Sequence, residues 1–248
     1  MSGIVLITGA SRGIGAATAV LAAEHGFDVC VNYRMDGQAA LDVVRQVKAR
    51  GQDAIAVQAD VGDPGDVERL FKTVDVHLGP LVALVNNAGA IAPQCRVDEV
   101  DAERLEQLLR TNVVGPFLCA REAVRRLSTK HGGPGGTIVN VSSAAARLGA
   151  AGEYVDYAAS KGAVDTLTIG LAKEVAGEGI RVNAVRPGYI DTAMHADGGE
   201  PGRIERVAPD LPMRRGGRPQ EVAEAIVWLL SDASSYVTGT FIDLAGGR

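Results

Sequence analysis

Short apolar runs rich in β-branched residues alternate with helical segments along almost the whole 248-residue chain. Alternation at this spacing indicates βαβ units, in which each crossover helix returns the chain so that successive strands lie parallel. The sequence therefore predicts a doubly wound Rossmann-type α/β fold, in which a parallel sheet of about seven strands has helices on both faces. The sequence contains no internal repeat and no interdomain linker, so residues 1–248 are expected to form a single domain. The predicted strands are 4–8, 28–33, 54–58, 81–85, 137–141, 180–185 and 240–244.

Charge and composition narrow the possible partners. The formal net charge is −5 and basic residues form no cluster longer than a pair, so neither nucleic acid nor an anionic membrane surface is an expected partner. No apolar run approaches the length of about 18 residues that suggests a spanning helix. The first residues lack the features of a targeting peptide, which favours a cytoplasmic protein. Three cysteines and four scattered histidines predict neither a disulfide framework nor a metal site.

A glycine-rich loop follows the first predicted strand and precedes the first predicted helix. It reads Gly9-Ala10-Ser11-Arg12-Gly13-Ile14-Gly15. Glycines let the backbone approach a phosphate closely, and a helix N-terminus offers free N–H groups and a positive dipole end. The spacing is G-x-x-x-G-x-G rather than the commoner G-x-G-x-x-G, and a glycine turn without a ligand has the same appearance. The loop is therefore moderate evidence for a dinucleotide site.

Polar or glycine clusters also follow the later strands. They are Asp60-Val61, Asn86 to Gly89, Ser142-Ser143 and Pro187-Gly188. Because the carboxyl ends of parallel strands meet at one edge of a sheet, ligands of open α/β sheets bind there. These clusters therefore predict one extended site along that edge.

Tyr157 and Lys161 stand four residues apart in a predicted helix, so their side chains share one face. A cation about 4 Å from a phenol, at an effective dielectric constant near 20, favours the phenolate by roughly 4 kcal/mol, or about three pKa units. The pair therefore predicts a tyrosine with a lowered pKa that acts as a general acid/base. Tyr154 lacks such a lysine, since Ala158 stands four residues later, and it is expected to pack or to line the pocket.

Taken together, these motifs resemble the short-chain dehydrogenase/reductase family of NAD(P)-dependent oxidoreductases. The similar stretches occur in the family's order along nearly the whole chain: TGASRGIG at 8–15, NNAG at 86–89, Asn112, Val141-Ser142-Ser143, YAASK at 157–161 and Arg186-Pro187-Gly188. The stretches around Tyr157 and in the last strand look most like the branch of glucose 1-dehydrogenase-like and uncharacterised bacterial oxidoreductases.

The resemblance implies a catalytic tetrad of Asn112, Ser143, Tyr157 and Lys161. Tyr157 would exchange the proton with the carbonyl or hydroxyl oxygen, and Ser143 would hold that oxygen. Lys161 would lower the pKa of Tyr157 and bind the nicotinamide ribose. Asn112 would distort its helix and anchor a water that relays protons. Of the two adjacent serines, Ser143 matches the family's pattern better than Ser142.

The resemblance also implies a set of cofactor contacts. Strand two ends in Tyr33-Arg34 without an acid at its tip, and Arg12 can approach from the other side. Two cations favour a 2′-phosphate, so NADP is the preferred cofactor and NAD remains possible. The expected contacts, besides Tyr157 and Lys161, are Gly9, Ser11, Arg12, Gly13, Ile14, Gly15, Tyr33, Arg34, Asp60, Val61, Asn87, Ala88, Gly89, Pro187, Gly188, Ile190 and Thr192.

Residues 189–218 break the alternation of strands and helices. The segment is longer than an ordinary connection between secondary-structure elements, and long connections are usually functional. In the family that the motifs resemble, a mobile substrate lid occupies this position. Met194, His195, Arg203 and Met213 are candidate substrate contacts. The last strand and the helix of Trp228 resemble the family's tetramer interface, so a homotetramer is expected.

The leading hypothesis is an NADP(H)-dependent oxidoreductase acting on CH–OH groups of a small-molecule alcohol or on the corresponding carbonyl. A glucose-type sugar dehydrogenase and a 3-oxoacyl-thioester reductase remain alternatives. Arg203, Arg214 and Arg215 permit a thioester substrate without requiring it. A non-enzymatic NADP-binding sensor is less favoured because the tetrad is intact, and a sugar-nucleotide epimerase would need a larger substrate domain.

Overall fold

Seven strands form the sheet of the computed structural model, which describes residues 3–248. They are β1 (Gly3–Ile7), β2 (Phe27–Tyr33), β3 (Ala54–Gln58), β4 (Leu81–Asn86), β5 (Gly136–Val141), β6 (Ile180–Pro187) and β7 (Phe241–Leu244). Their order is β3-β2-β1-β4-β5-β6-β7, and every neighbouring pair is parallel. The strand order reverses between β1 and β4, which creates a crevice at their carboxyl ends.

Ten α-helices connect the strands of the described chain. They are α1 (Gly13–Glu24), α2 (Gly37–Lys48), α3 (Pro64–His77), α4 (Ala102–Leu109), α5 (Gly115–Leu127), α6 (Ala145–Leu148), α7 (Val155–Val175), α8 (Met194–Asp197), α9 (Arg203–Val207) and α10 (Pro219–Leu230). A π-helical turn at Arg110–Val114 joins α4 to α5. Short 3₁₀ turns lie at Val97–Glu99, Thr129–His131, Ala176–Glu178, Ala208–Asp210 and Asp232–Ser234.

Each face of the sheet carries its own apolar core. Buried residues of α1, α2 and α10 cover one face, and those of α3, α5 and α7 cover the other. Ile226 and Phe71, one from each core, are completely buried. This two-sided packing confirms the predicted doubly wound fold and explains why the central strands are continuously apolar. Within residues 3–248 no helix is long and apolar enough to cross a membrane.

The observed bounds of several elements differ from the sequence prediction. α1 begins at Gly13, inside the predicted glycine loop, and β6 extends to Pro187. The π-helical turn separates α4 from α5 and adds one residue to a helical turn at Asn112. The irregular segment 189–218 contains the short helices α8 and α9.

Candidate active site

The glycine loop between β1 and α1 is held in a conformation that only glycine adopts easily. Gly9 has a φ of +60°, and a Cβ atom there would lie 2.9 Å from the Cα of Ala88. A Cβ on Gly15 would lie 2.5 Å from Asn87 Nδ2. The loop therefore packs directly against the segment that follows β4, and larger residues would separate the two.

Polar side chains fix this packing. The Asn32 side chain accepts a hydrogen bond from the Gly9 N–H (3.1 Å). The Thr8 hydroxyl oxygen accepts bonds from the N–H groups of Asn87 and Ala88, both at 2.9 Å. The Asn87 amide donates to the carbonyl of Thr8 at 2.8 Å. These bonds define the walls of a cleft of about 340 Å³ at the reversal point of the sheet.

Most of the expected cofactor contacts line this cleft. They are Gly9, Ser11, Arg12, Gly13, Ile14, Tyr33, Arg34, Asp60, Val61, Asn87, Ala88, Gly89 and Thr192. Gly15, Pro187 and Ile190 do not line it because all three are buried in the packing beneath it, while Gly188 lines a neighbouring cavity. The first-turn N–H groups of α1 have no intrahelical partner, and no side chain caps this helix. A glycine cradle with free N–H groups fits the diphosphate of a nicotinamide dinucleotide.

The two arginines expected at the 2′-phosphate are placed differently from each other. Arg34 Nη1 lies 3.9 Å from Asp60 Oδ2, and its side chain is mostly exposed. Arg12 Nη2 instead donates to the carboxylate of Asp197 on α8. Asp36, two residues beyond Arg34, caps α2 by accepting a hydrogen bond from the Ala39 N–H (2.9 Å).

A second cavity, of about 880 Å³, lies beyond the cleft. Tyr157 on α7 and Ser143 after β5 both line it, and so does Gly188. The structure also distinguishes the two adjacent serines. The Ser142 hydroxyl is buried and donates to Asp165 Oδ1 (2.6 Å), whereas Ser143 opens on the cavity. Ser143 is therefore the serine that can meet a ligand, as the sequence pattern predicts.

Lys161 lies behind this surface and is buried. Its ammonium group donates to the carbonyl of Val141 (2.8 Å) and lies 5.7 Å from the centroid of the Tyr157 ring. A Cβ on Gly89 would lie 3.6 Å from Lys161 Nζ. The lysine is thus beneath the point where the cleft meets the cavity.

The sequence-based prediction of a lowered Tyr157 pKa is wrong for this structure. Burial among protein atoms raises the pKa of Tyr157 to about 12, and a hydrogen bond with Ser143 only partly opposes this rise. Burial also lowers the pKa of Lys161 to about 8, although the nearby Asp165 raises it. Desolvation disfavours the charged form of both groups, and it is the largest cause of both pKa shifts.

Asn112 lies at the centre of the π-helical turn, fully buried. Its Oδ1 accepts a hydrogen bond from the Ala90 N–H (2.7 Å), and its Nδ2 donates to the Ala90 carbonyl (2.9 Å) and to Ser160 Oγ (3.0 Å). The distortion expected at this asparagine is present. Its side chain joins the loop after β4 to α7 immediately before Lys161.

The segment 189–218 covers the cavity and is fastened to the rest of the molecule. At its base Asp191 N–H donates to the Gly217 carbonyl at 2.8 Å. Arg203 is buried, stacks on the rings of Tyr154 and Tyr189, and pairs with Glu153. The Tyr154 hydroxyl donates to the Gly198 carbonyl (3.1 Å), so this second tyrosine has a packing role.

Three of the four candidate substrate contacts in this segment line the cavity: Met194, His195 and Arg203. Met213 does not, and its side chain is exposed. The His195 Nε2 lies 2.8 Å from the Ile190 carbonyl, and burial lowers the pKa of this imidazole. Because a carbonyl oxygen only accepts, Nε2 carries the proton and Nδ1 is the acceptor in the neutral ring.

Sequence reasoning missed the contribution of the last residues. Ala245, Gly247 and Arg248 line the cavity, and Arg248 Nη1 donates to the Tyr189 hydroxyl (2.8 Å). They follow β7, whose carboxyl end lies on the same edge of the sheet as the other site residues. The rule that sites form at these strand ends could have indicated them.

Comparisons with known proteins agree with this geometry. A family model described as enoyl-(acyl carrier protein) reductase matches residues 9–248. The chain is 60% identical over 245 residues to the uncharacterized oxidoreductase YgfF of Escherichia coli K12, covering 99% of each chain. It is 36% identical over 247 residues to the 3-oxoacyl-[acyl-carrier-protein] reductase FabG of Staphylococcus aureus, covering 100% of this chain and 98% of that one. A crystal structure of a short-chain type dehydrogenase/reductase from Mycobacterium marinum superimposes with a TM-score of 0.92 at 34% identity, covering 99% of this chain and 94% of that one.

The fold, the dinucleotide cleft and these relatives define an oxidoreductase of the Rossmann type. The chain belongs to the short-chain dehydrogenase/reductase family, whose members bind NAD or NADP.

Proposed function

We propose that the protein is an NADP(H)-dependent oxidoreductase that interconverts a small carbonyl compound and its alcohol, with Tyr157 as the general acid/base. One observation carries the proposal. Tyr157 and Ser143 line the same cavity, and Lys161 lies beneath its junction with the glycine-loop cleft. If the hydroxyls of Tyr157 and Ser143 bound the substrate oxygen, the carbon that carries this oxygen would face the junction between the cavity and the cleft.

The glycine loop, Asn87 and Thr192 would hold the dinucleotide in the cleft, with the diphosphate at the N-terminus of α1. Arg34 at the end of β2, which is exposed and held only at 3.9 Å from Asp60, is available for the 2′-phosphate. When bound, the nicotinamide supplies the hydride, and the chain contributes orientation and proton transfer.

Tyr157 would donate its hydroxyl proton to the carbonyl oxygen during reduction and recover it during oxidation. Its raised pKa means that the phenol carries this proton at neutral pH. Ser143 would donate a hydrogen bond to the same oxygen and stabilise the charge that develops there. Lys161, protonated below its pKa of about 8, would stabilise the phenolate left on Tyr157.

Asn112 would hold the loop that contains Ala90 against Ser160 on α7, and this contact places Gly89 next to Lys161. We also propose that residues 189–218 form the substrate lid. The bridge between Ile190 and Gly217 closes the base of this segment, and Arg203 fastens its middle.

A 3-oxoacyl-thioester reductase is the second candidate, since FabG relatives share the full length of the chain. The arginines that could bind an acidic carrier are largely occupied. Arg203 is buried against Glu153, Arg215 forms two bonds with Glu221, and Arg214 donates to the Pro209 carbonyl (2.7 Å). This pairing favours a free small carbonyl or sugar over a carrier-bound thioester.

The test is the loss of reduced-nicotinamide absorbance with NADPH and separately with NADH, against ketones, aldehydes, sugars and 3-oxoacyl thioesters. Turnover with NADPH well above NADH is expected. The Tyr157→Phe variant should lose about 10²- to 10⁴-fold in kcat, the usual contribution of a general acid/base. Tyr236→Phe is the matched control, because this tyrosine is fully exposed and should keep full activity.

Faster turnover with NADH would overturn the cofactor assignment. Full activity of Tyr157→Phe would overturn the acid/base assignment. Binding of NADPH without turnover of any compound in the panel would favour a cofactor-binding sensor instead.

We further propose a homotetramer. Phe117 on α5 and Trp228 on α10 expose 51% and 41% of their surface, and a partner subunit that covered them would bury this apolar area. Light scattering after size-exclusion chromatography should give four times the chain mass of 25.7 kDa. A monomeric mass would refute the proposal.

A further inference from the structure

One ion pair links the glycine loop to the covering segment. Arg12, immediately before α1, donates from Nη2 to the carboxylate of Asp197 at the end of α8. The two side chains are 60% and 43% exposed, so water reaches both. Distant parts of the chain therefore meet at the rim of the dinucleotide cleft.

The surroundings of this pair place it at the rim of the cleft that would hold the cofactor. Arg12 lines the cleft together with Arg34, and so do Thr192 and Met194 at the beginning of the covering segment. A Cβ on Gly13 would lie 3.4 Å from Thr192 Cγ2, so the glycine loop and this segment are already in contact. Asp197 thus contributes a negative charge to the region where a 2′-phosphate would bring another.

We propose that Asp197 is a cofactor-selectivity residue that competes with the 2′-phosphate of NADP for Arg12. The inference rests on the proposed use of NADP. With NAD bound, no 2′-phosphate reaches Arg12, and the ion pair with Asp197 persists. With NADP bound, Arg12 must either release Asp197 or hold two anions that repel each other.

The size of the effect follows from the exposure of the pair. An exposed ion pair contributes little, because water and salt screen it. Removing the Asp197 charge should therefore tighten NADPH binding by about two- to fivefold, the range that corresponds to a typical exposed pair. NADH binding should change much less, since NADH lacks the 2′-phosphate that would compete with Asp197 for Arg12. The gain should shrink as salt is added.

The experiment measures dissociation constants for NADPH and NADH by nicotinamide fluorescence, on the full chain and without substrate. The variants are Asp197→Asn, Arg12→Ala and the double variant. Glu205→Gln is the matched control, since it removes one exposed carboxylate from the same segment at a residue outside the cleft. Arg12→Ala should weaken NADPH binding, and adding Asp197→Asn to it should bring no further gain.

Each possible outcome either supports or overturns the proposed role of Asp197. Selective tightening of NADPH in Asp197→Asn supports the proposal. Equal tightening of both dinucleotides, or the same gain in Glu205→Gln, would show a general charge effect and overturn it. An unchanged or weaker NADPH affinity in Asp197→Asn would overturn it as well, while leaving the proposed function in place. If the wild-type protein binds NADH well and NADPH poorly, the cofactor assignment itself fails and this inference fails with it.

Discussion

Replacing Asn112 with alanine removes three hydrogen bonds that join the loop after β4 to α7. The amide accepts from the Ala90 N–H, donates to the Ala90 carbonyl and donates to Ser160 Oγ, at 2.7, 2.9 and 3.0 Å. Asn112 is fully buried, so no water replaces the amide without rearrangement. The variant tests whether this side chain is primarily structural.

The expected loss can be estimated from the partners that remain. A buried polar group left without a partner costs about 1 to 3 kcal/mol. Ala90 is only partly buried, so water can reach its two backbone groups and reduce that cost. We therefore expect about 2 to 3 kcal/mol less free energy of unfolding. For a chain of this length, that is a decrease in Tm of roughly 4 to 12 °C.

Urea denaturation followed by circular dichroism measures this free energy directly. Gln107→Ala is the matched control, because it deletes an amide on the preceding helix whose bond to Glu103 Oε1 (3.0 Å) is exposed. That variant should remain within about 0.5 kcal/mol of the wild type. If Asn112→Ala also remained within that range, the hydrogen bonds of Asn112 would not carry the stability assigned to them.

Two further predictions concern the charge and the backbone of the site. Lys161→Met should unfold at higher urea than the wild type at pH 7, because burial lowers the lysine pKa to about 8 and a charged lysine is costly to fold. Between pH 8 and about 10.5 the unfolded wild-type protein binds more protons than the folded one, so the stability of the wild type rises with pH in that window. The stability advantage of Lys161→Met should therefore disappear by about pH 10.5. An advantage that stayed constant with pH would contradict the lowered pKa of Lys161. Gly9→Ala should weaken NADPH binding at least tenfold and lower Tm, since its Cβ would meet Ala88 at 2.9 Å. Gly51→Ala shares a positive φ but has no atom within 4 Å, so only a small loss of stability and unchanged binding are expected.

The sequence predicts the elements well where local chemistry decides them. Strand β3 has the predicted bounds 54–58, because the polar residue Asp53 precedes it and the polar residue Gln58 ends it. The choice of Ser143 over Ser142 was also predictable from the pattern. Its physical basis, the burial of Ser142 against Asp165, is visible only in the structure.

Other features depend on contacts that no local pattern records. The Arg12–Asp197 pair and the C-terminal residues in the cavity join distant parts of the chain. The pKa of Tyr157 could not be predicted from its spacing to Lys161, because spacing gives the distance between two charges and not the amount of protein packed around them. The Coulomb argument used a surface-like dielectric constant, whereas Lys161 is buried and Tyr157 is only partly exposed at the cavity wall.

This burial has a consequence for the direction of proton transfer. A phenol with a raised pKa is a reluctant base but holds its proton firmly at neutral pH, so the resting site is prepared to protonate a carbonyl. The phenolate formed in that step would be stabilised by Lys161 more strongly than in water, because the same low polarity that raises the phenol pKa also strengthens the attraction between opposite charges. Oxidation of an alcohol needs the phenolate first, and it should therefore require higher pH than reduction. This arrangement of Tyr157 and Lys161 therefore predicts that the rate of alcohol oxidation rises with pH, whereas the rate of carbonyl reduction falls.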